Sequence, residues 1–227
     1  MARTRPDDET RTTLSRQAIV ERAMAMAEAD GLDAVTIRRL ARALGVTPMA
    51  LYWHFRNKDA LLDGMAARLL EEVDVPVDAT ATWQGQLRAV LESLAAVLRA
   101  HPSTARLLPT RTVSSDGSLR ATETLLDILR RGGFSPVDAT QIARHALATV
   151  ANLAAAPSGV VSREEPDATV ESRRAAREFL QALPPERYPR LVEAAGPLSE
   201  GIDPDAYVAF GIDVLLAGIE AVAARRR

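Results

Sequence analysis

Apolar residues recur three and four positions apart along most of this chain, and no segment alternates apolar with polar over a strand length, so the pattern predicts an all-α protein. Ile19, Ala23, Met26 and Ala27 form one face of a first helix that Ser15 can cap and Gly31 can end. Ile37, Leu40, Ala41 and Leu44 repeat the spacing between a cap at Thr36 and a stop at Gly45. Thr47 offers another cap with Pro48 at the first helical position. In the short helix that follows, Leu51 and Phe55 turn inward and Met49, Ala50, Tyr52, Trp53 and His54 are left outside. A fourth helix opens at Asp59 and carries Leu62, Ala66, Leu69 and Val73 on one face until Pro76.

Beyond a linker at Pro76 the periodicity stays helical. Trp83, Leu87, Val90, Leu91, Leu94, Val97 and Leu98 make a helix so broadly apolar that it must be buried on more than one side, ending at His101 and Pro102. Leu107, Leu108 and Pro109 suggest a short helical turn, and Leu119, Leu125, Leu126, Ile128 and Leu129 a longer helix closed by Gly132 and Gly133. Ser135, Pro136 and Asp138 start an alanine-rich helix running to about Ala156. Pro157 to Arg174 reads as a mobile loop, Phe179 and Leu180 as a weak helix ended by Pro184 and Pro185, and Tyr188 to Ala194 as one more short helix. Asp203 and Pro204 cap a terminal helix whose Tyr207, Phe210, Val214, Ile219 and Val222 are expected to pack inward. Gly211 and Gly218 share one of its faces. Each costs about 1 kcal/mol against alanine in a helix, which close packing on another long helix, of this chain or of a second subunit, would offset. The expected organisation is an arm at 1–13, a three-helix module at 14–75 and a larger helical domain at 76–227.

Charge changes this picture locally. The net charge is −2 over 227 residues, yet between Thr36 and Lys58 every charged residue is basic: Arg38, Arg39, Arg42, Arg56 and Lys58. A short helix that exposes Tyr, Trp and His beside such charge fits the recognition helix of a helix-turn-helix on a phosphate backbone. The arm sets Arg3, Arg5 and Arg11 against Asp7, Asp8 and Glu9, and reads as a disordered tail or as a minor-groove arm. Hydrophobic residues make up 47% of the chain and mean hydropathy is near zero, so a substantial core is expected. There is no cysteine, no apolar run judged to approach the roughly 18 residues of a membrane span, and no signal-like start, which together predict a soluble cytoplasmic protein without membrane contact. No phosphate-binding glycine loop, nucleophile elbow or metal-ligand spacing is present, so no enzyme, cofactor or metal is expected.

Residues 14–73, above all LYWHF followed by NK, resemble the DNA-binding domain of the TetR family of bacterial transcription regulators, in its tetracycline-repressor subgroup. The likeness continues through TWQGQLR at Thr82–Arg88, TR at Thr110 and Arg111, and GGFS at Gly132–Ser135. It implies an all-helical homodimer, with the helices of Ser135–Ala156 and Asp203–Arg226 as a four-helix dimer core and a ligand pocket in each larger domain. It implies that Thr36, Arg38, Tyr52, His54 and Lys58 grip the DNA backbone with Trp53 beside them. Thr47 then opens the recognition helix, and Pro48, Met49 and Ala50 take the base-reading places, where the subgroup carries Gln, Pro and Thr. Their apolar contacts suit thymine methyl groups. Where the subgroup holds its drug with Asn and its magnesium with His, this chain has Val90 and Leu107, and leucine cannot ligate Mg²⁺. The implied pocket is apolar, lined by Val90, Leu94, Leu107, Leu125, Ile128 and Phe134, with Arg111, His145 and Asn152 as polar contacts for a hydrophobic effector. The resulting expectation is a ligand-responsive repressor on a palindromic operator. A helical-bundle ligand-binding protein or an enzyme without DNA binding is the alternative.

Overall fold

The computed structural model describes residues 14–74, 80–108, 115–155, 166–200 and 203–225, and among them there are helices and no strand. In chain order the helices are α1 (Arg16–Asp30), α2 (Ile37–Ala43), α3 (Pro48–Tyr52), α4 (Lys58–Glu71), α5 (Trp83–Ala100), α6 (Pro102–Ala105), α7 (Asp116–Arg131), α8 (Pro136–Ala155), α9 (Pro166–Gln181), α10 (Pro189–Glu193), α11 (Ala195–Ser199) and α12 (Pro204–Ala224). The arm at 1–13 and Arg111 lie outside the described residues.

The chain forms two compact units, Met1–Val73 with Ala100–Thr122, and Asp74–Arg99 with Glu123–Arg227. By packing, 100–122 lies with the first unit although the functional division expected falls at residue 75, and the reason is polar. Glu28, near the end of α1, stands in as the cap of α6: its carboxylate accepts the Ser103 and Thr104 amides, each at 3.0 Å, and the Thr104 hydroxyl at 2.7 Å. His101 Nε2 lies 3.1 Å from the Glu72 carboxylate just past α4, and the Ser115 hydroxyl donates to Glu71 at 3.0 Å. None of these pairings could be read from local spacing.

In the first unit Ser15 caps α1 as expected, and Gly31 leaves it at φ 83°. Ile19, Ala23 and Ala27 of α1, Leu40 of α2, Leu51 of α3, Phe55, and Leu61, Met65 and Leu69 of α4 form its core. The fourth helix starts at Lys58 with Asn57 as its cap, not at Asp59: the Asn57 side chain accepts the Ala60 amide at 2.8 Å.

In the second unit α5 buries Leu87, Val90, Leu91, Leu94, Ala95 and Leu98. Trp83 meets Phe134 edge to face at 5.6 Å. Gly132 packs closely there: a Cβ would sit 3.0 Å from the Trp83 ring and 3.2 Å from the Leu129 carbonyl oxygen. Ser135 caps α8: its hydroxyl accepts the Asp138 amide and donates to the Asp138 carboxylate. The expected loop at Pro157–Arg174 is instead helical from Pro166, with 156–165 outside the described residues. Proline at its first position, alanines and an Arg174–Glu178 pair favour that helix locally, but every side chain from Val170 to Phe179 is exposed, so no apolar stripe announced it. The short α11, unforeseen, packs against α9.

The terminal helix α12 is the clearest departure. Asp203 caps it as expected, but Val208, Ile212, Leu216 and Ile219 are the buried residues, whereas Tyr207, Phe210 and Val214 face outward and Val222 is half-buried. Its glycines divide in the same way. A Cβ on Gly211 would lie 2.5 Å from Leu153 of α8, so close packing explains that position; Gly218 faces open space. The helix is also long and apolar enough to cross a membrane, with a window of mean hydropathy 1.8, contrary to the expectation that no run approaches that length.

Candidate nucleic-acid interface

The unit α2–turn–α3 is built from two threonine caps and one left-handed glycine. Thr36 is extended and its hydroxyl oxygen accepts the Arg39 amide at 3.2 Å, which sets Arg38 and Arg39 in the first turn of α2. The chain then turns through Gly45 at φ 68°, a conformation that a Cβ disfavours. Thr47 accepts the Ala50 amide at 3.3 Å and starts α3. With only five residues, α3 has no stability of its own and is held by the burial of Leu51 and, just beyond it, Phe55. That anchoring fixes what is left outside. Trp53 is 86% exposed, Met49 67% and Tyr52 47%. Thr36, Arg38, Thr47 and Pro48 are also exposed, while Ala50, His54 and Lys58 are half-buried.

Of the basic residues in this stretch, Arg39 is paired: its guanidinium lies 2.5 Å from the half-exposed Asp30 carboxylate at the end of α1, a surface ion pair of small energy. Arg38, Arg42, Arg56 and Lys58 have no ion-pair partner among the described residues, so the face keeps a local positive charge on a chain of net charge −2. A further contact that the sequence did not suggest is made by Arg16, which donates to the His54 carbonyl at 2.8 Å.

The residues expected around an effector are less uniformly placed. Val90, Leu94, Ile128 and Phe134 are buried in the second unit and Leu125 is half-buried, while Leu107 is buried in the first unit. His145 and Asn152, both exposed on α8, are not gathered with that apolar set. His145 opens instead on a groove of about 580 Å³ between α8 and α12, with Ile142, Thr149, Val214, Gly218 and Val222. Among the described residues no cluster of His, Cys, Asp and Glu could hold a metal.

A helix capped at Thr36, a glycine turn and a short helix presenting aromatic and basic side chains define a helix-turn-helix protein. Comparison with known proteins narrows the class. Residues 19–65 match the model of bacterial regulatory proteins of the tetR family, and residues 75–223 that of the tetracyclin repressor-like C-terminal domain. The chain belongs to the TetR family of transcriptional regulators. It is 30% identical to an HTH-type transcriptional regulator of Saccharopolyspora erythraea over 96% of this chain and 91% of the relative, and 28% identical to the class D tetracycline repressor of Escherichia coli over 91% and 89%. Among solved structures it is similar to ActR of Streptomyces coelicolor in complex with actinorhodin, at 30% identity and a TM-score of 0.79, covering 92% of this chain and 98% of that one. The protein is therefore a ligand-responsive, DNA-binding transcriptional regulator, and its relatives are regulators rather than enzymes, which disfavours the bundle or enzyme alternative.

Proposed function

We propose that the protein is a cytoplasmic homodimeric repressor that leaves a palindromic operator when a hydrophobic small molecule binds its larger domain. The observation that carries the reading is the outward face of α3 and the residue just past it: Met49, Tyr52 and Trp53 are exposed beside Arg38, Arg42, Arg56 and Lys58, and large side chains left open to solvent next to that charge suit a polyanion. In this reading Thr36, Arg38, Tyr52, His54 and Lys58 hold phosphates with Trp53 alongside. Pro48, Met49 and Ala50, opened by Thr47, meet base edges through apolar contact, so the preferred operator differs from one read by Gln and Thr.

Dimerisation is supported by α12, whose Tyr207, Phe210 and Val214 and open Gly218 leave an apolar face beside the α8 groove for a second copy. Two recognition helices related by a two-fold axis then enter successive major grooves about 34 to 36 Å apart. For the effector, the buried Val90, Leu94, Ile128 and Phe134 with the half-buried Leu125 support an apolar ligand and not a tetracycline–magnesium chelate; that ActR is seen with actinorhodin agrees with a small organic effector. Leu107 and Arg111 remain proposed contacts, as do His145 and Asn152 only if the exposed face of α8 is reached. Effector binding shifts α4, changes the separation of the recognition helices and lowers operator affinity; a coupling of about 1 to 3 kcal/mol suffices.

Selection of duplexes from randomised DNA, followed by titration at two salt concentrations, tests the reading. Selected sequences should be palindromic, and log affinity should fall with log salt by about 0.9 per neutralised phosphate. Selected sequences without two-fold symmetry, or no binding in dilute buffer, would refute it.

A further inference from the structure

We propose that Arg16, the first residue of α1, is a positioning residue for the recognition surface, fixing the backbone that carries Trp53 and His54 without itself touching DNA. The inference rests on the assignment of α3 to the DNA surface. Helix α3 ends at Tyr52, so Trp53 and His54 lie beyond its last turn. Their amide side is anchored locally, since the His54 and Phe55 amides both donate to the Leu51 carbonyl, at 3.0 and 2.9 Å. The His54 carbonyl faces the other way, and it accepts a hydrogen bond from Arg16 Nη1 at 2.8 Å.

The same guanidinium lies over the Phe55 ring, its central carbon 4.1 Å from the centroid. Phe55 is 1% exposed and packs closely on α4 at Gly64, where a Cβ would lie 3.1 Å from the ring. One ring is thus the point where α1, α4 and the exit from α3 meet. A planar guanidinium can lay its face on that ring and donate in its own plane at the same time, whereas an ammonium can do one or the other. The surroundings of Arg16 do not suit a phosphate. It lines a groove with Gln17, Asp63, Arg68 and Glu71, which carries both signs of charge, unlike the basic α2–α3 face.

The test measures Arg16→Met and Arg16→Lys against the unaltered chain, on a palindromic duplex selected by that chain and on a mixed-sequence duplex, each across a salt series. Methionine keeps an apolar stem over Phe55 and removes the donor. Its affinity for the selected duplex should fall about tenfold, with mixed-sequence binding within about twofold and an unchanged salt slope, and lysine should fall between. Equal losses on both duplexes with a slope shallower by about 0.9 would make Arg16 a phosphate contact and overturn the inference, as would unaltered affinity. If the methionine variant does not fold by far-ultraviolet circular dichroism, Arg16→Gln, which also removes the charge, decides by the same criteria. A wild-type chain that selects no duplex removes the α3 assignment itself, a result distinct from a wild type that binds and an indifferent Arg16.

Discussion

Removing the Glu28 carboxylate should loosen α6 from α1, and the structure allows the cost to be worked out. Glu28 accepts three hydrogen bonds, from the amides of Ser103 and Thr104 and from the Thr104 hydroxyl. Two of the acceptors it supplies satisfy the free amides of a helix start, a role worth about 0.5 to 2 kcal/mol when lost, and each bond to a charged group contributes about 1.5 to 3 kcal/mol before exposure weakens it. Because Glu28 is half-buried and in contact with solvent, we take the lower part of that range and expect Glu28→Ala to cost about 2 kcal/mol. For a chain of this size that lowers Tm by about 4 to 8 °C. Glu28→Gln keeps one neutral acceptor and should lose about half as much. The effect depends on pH. Burial works to raise the Glu28 pKa, but the Thr104 hydroxyl, the Ser103 and Thr104 amides and nearby His101 outweigh it and hold the carboxyl below its usual 4.5. A group whose folded pKa is depressed stabilises fully above its unfolded value and ceases to do so as pH falls through the folded one. The gap between wild type and Glu28→Gln should therefore be constant above about pH 6 and narrow as pH drops below 4.5. Thermal unfolding of the three proteins from pH 3.5 to pH 7 measures it, and a gap that is absent, or that widens in acid, would refute the capping argument.

Three further outcomes are expected. Lys58→Ala should weaken binding to all duplexes alike, whereas Met49→Ala should change the ranking of selected sequences; matched effects on every sequence would contradict the roles given to them. Gly211→Ala should change monomer stability by less than about 1 kcal/mol, because the Leu153 methyls that its Cβ would meet at 2.5 Å belong to a half-buried side chain that can turn aside and alanine recovers about 1 kcal/mol of helix propensity, while Gly218→Ala, facing open space, should leave the monomer intact and weaken self-association in sedimentation velocity. Phe210→Glu, at a position 67% exposed, should yield a folded monomer with little operator affinity, and a variant that remains dimeric would remove α12 from the interface.

Much of the fold was legible because caps are local. Ser15, Thr36, Thr47, Ser135 and Asp203 all cap the helices their positions suggest, since a side-chain oxygen three residues before a free amide needs no tertiary information. The exposed aromatics of α3 were legible for a related reason: Leu51 and Phe55, four apart, leave the rest of so short a helix nowhere to hide. What was not legible depends on partners distant in sequence. Asp30 neutralises Arg39, and Glu28 caps a helix more than seventy residues away, so the first unit recruits a segment that composition assigns to the second. In α12 the periodicity was visible but its direction was not. A helix apolar on two sides looks the same whether the second side meets its own chain or another, and inward packing was wrongly expected of Tyr207, Phe210 and Val214. The position of His145, which lines the groove between α8 and α12, was not legible for the mirror reason: the sequence does not fix which face of α8 a polar residue takes.

The division of labour inside α3 has an evolutionary corollary. Leu51, with Phe55 just after it, secures the fold, while Met49 is mostly exposed and Pro48, also exposed, serves only the start of α3. Exchanging Met49 leaves the interior untouched and exchanging Pro48 affects only the first turn of a short helix, so a lineage can move to a new set of promoters through substitutions of small folding penalty, and related regulators can diverge in their targets while sharing one scaffold.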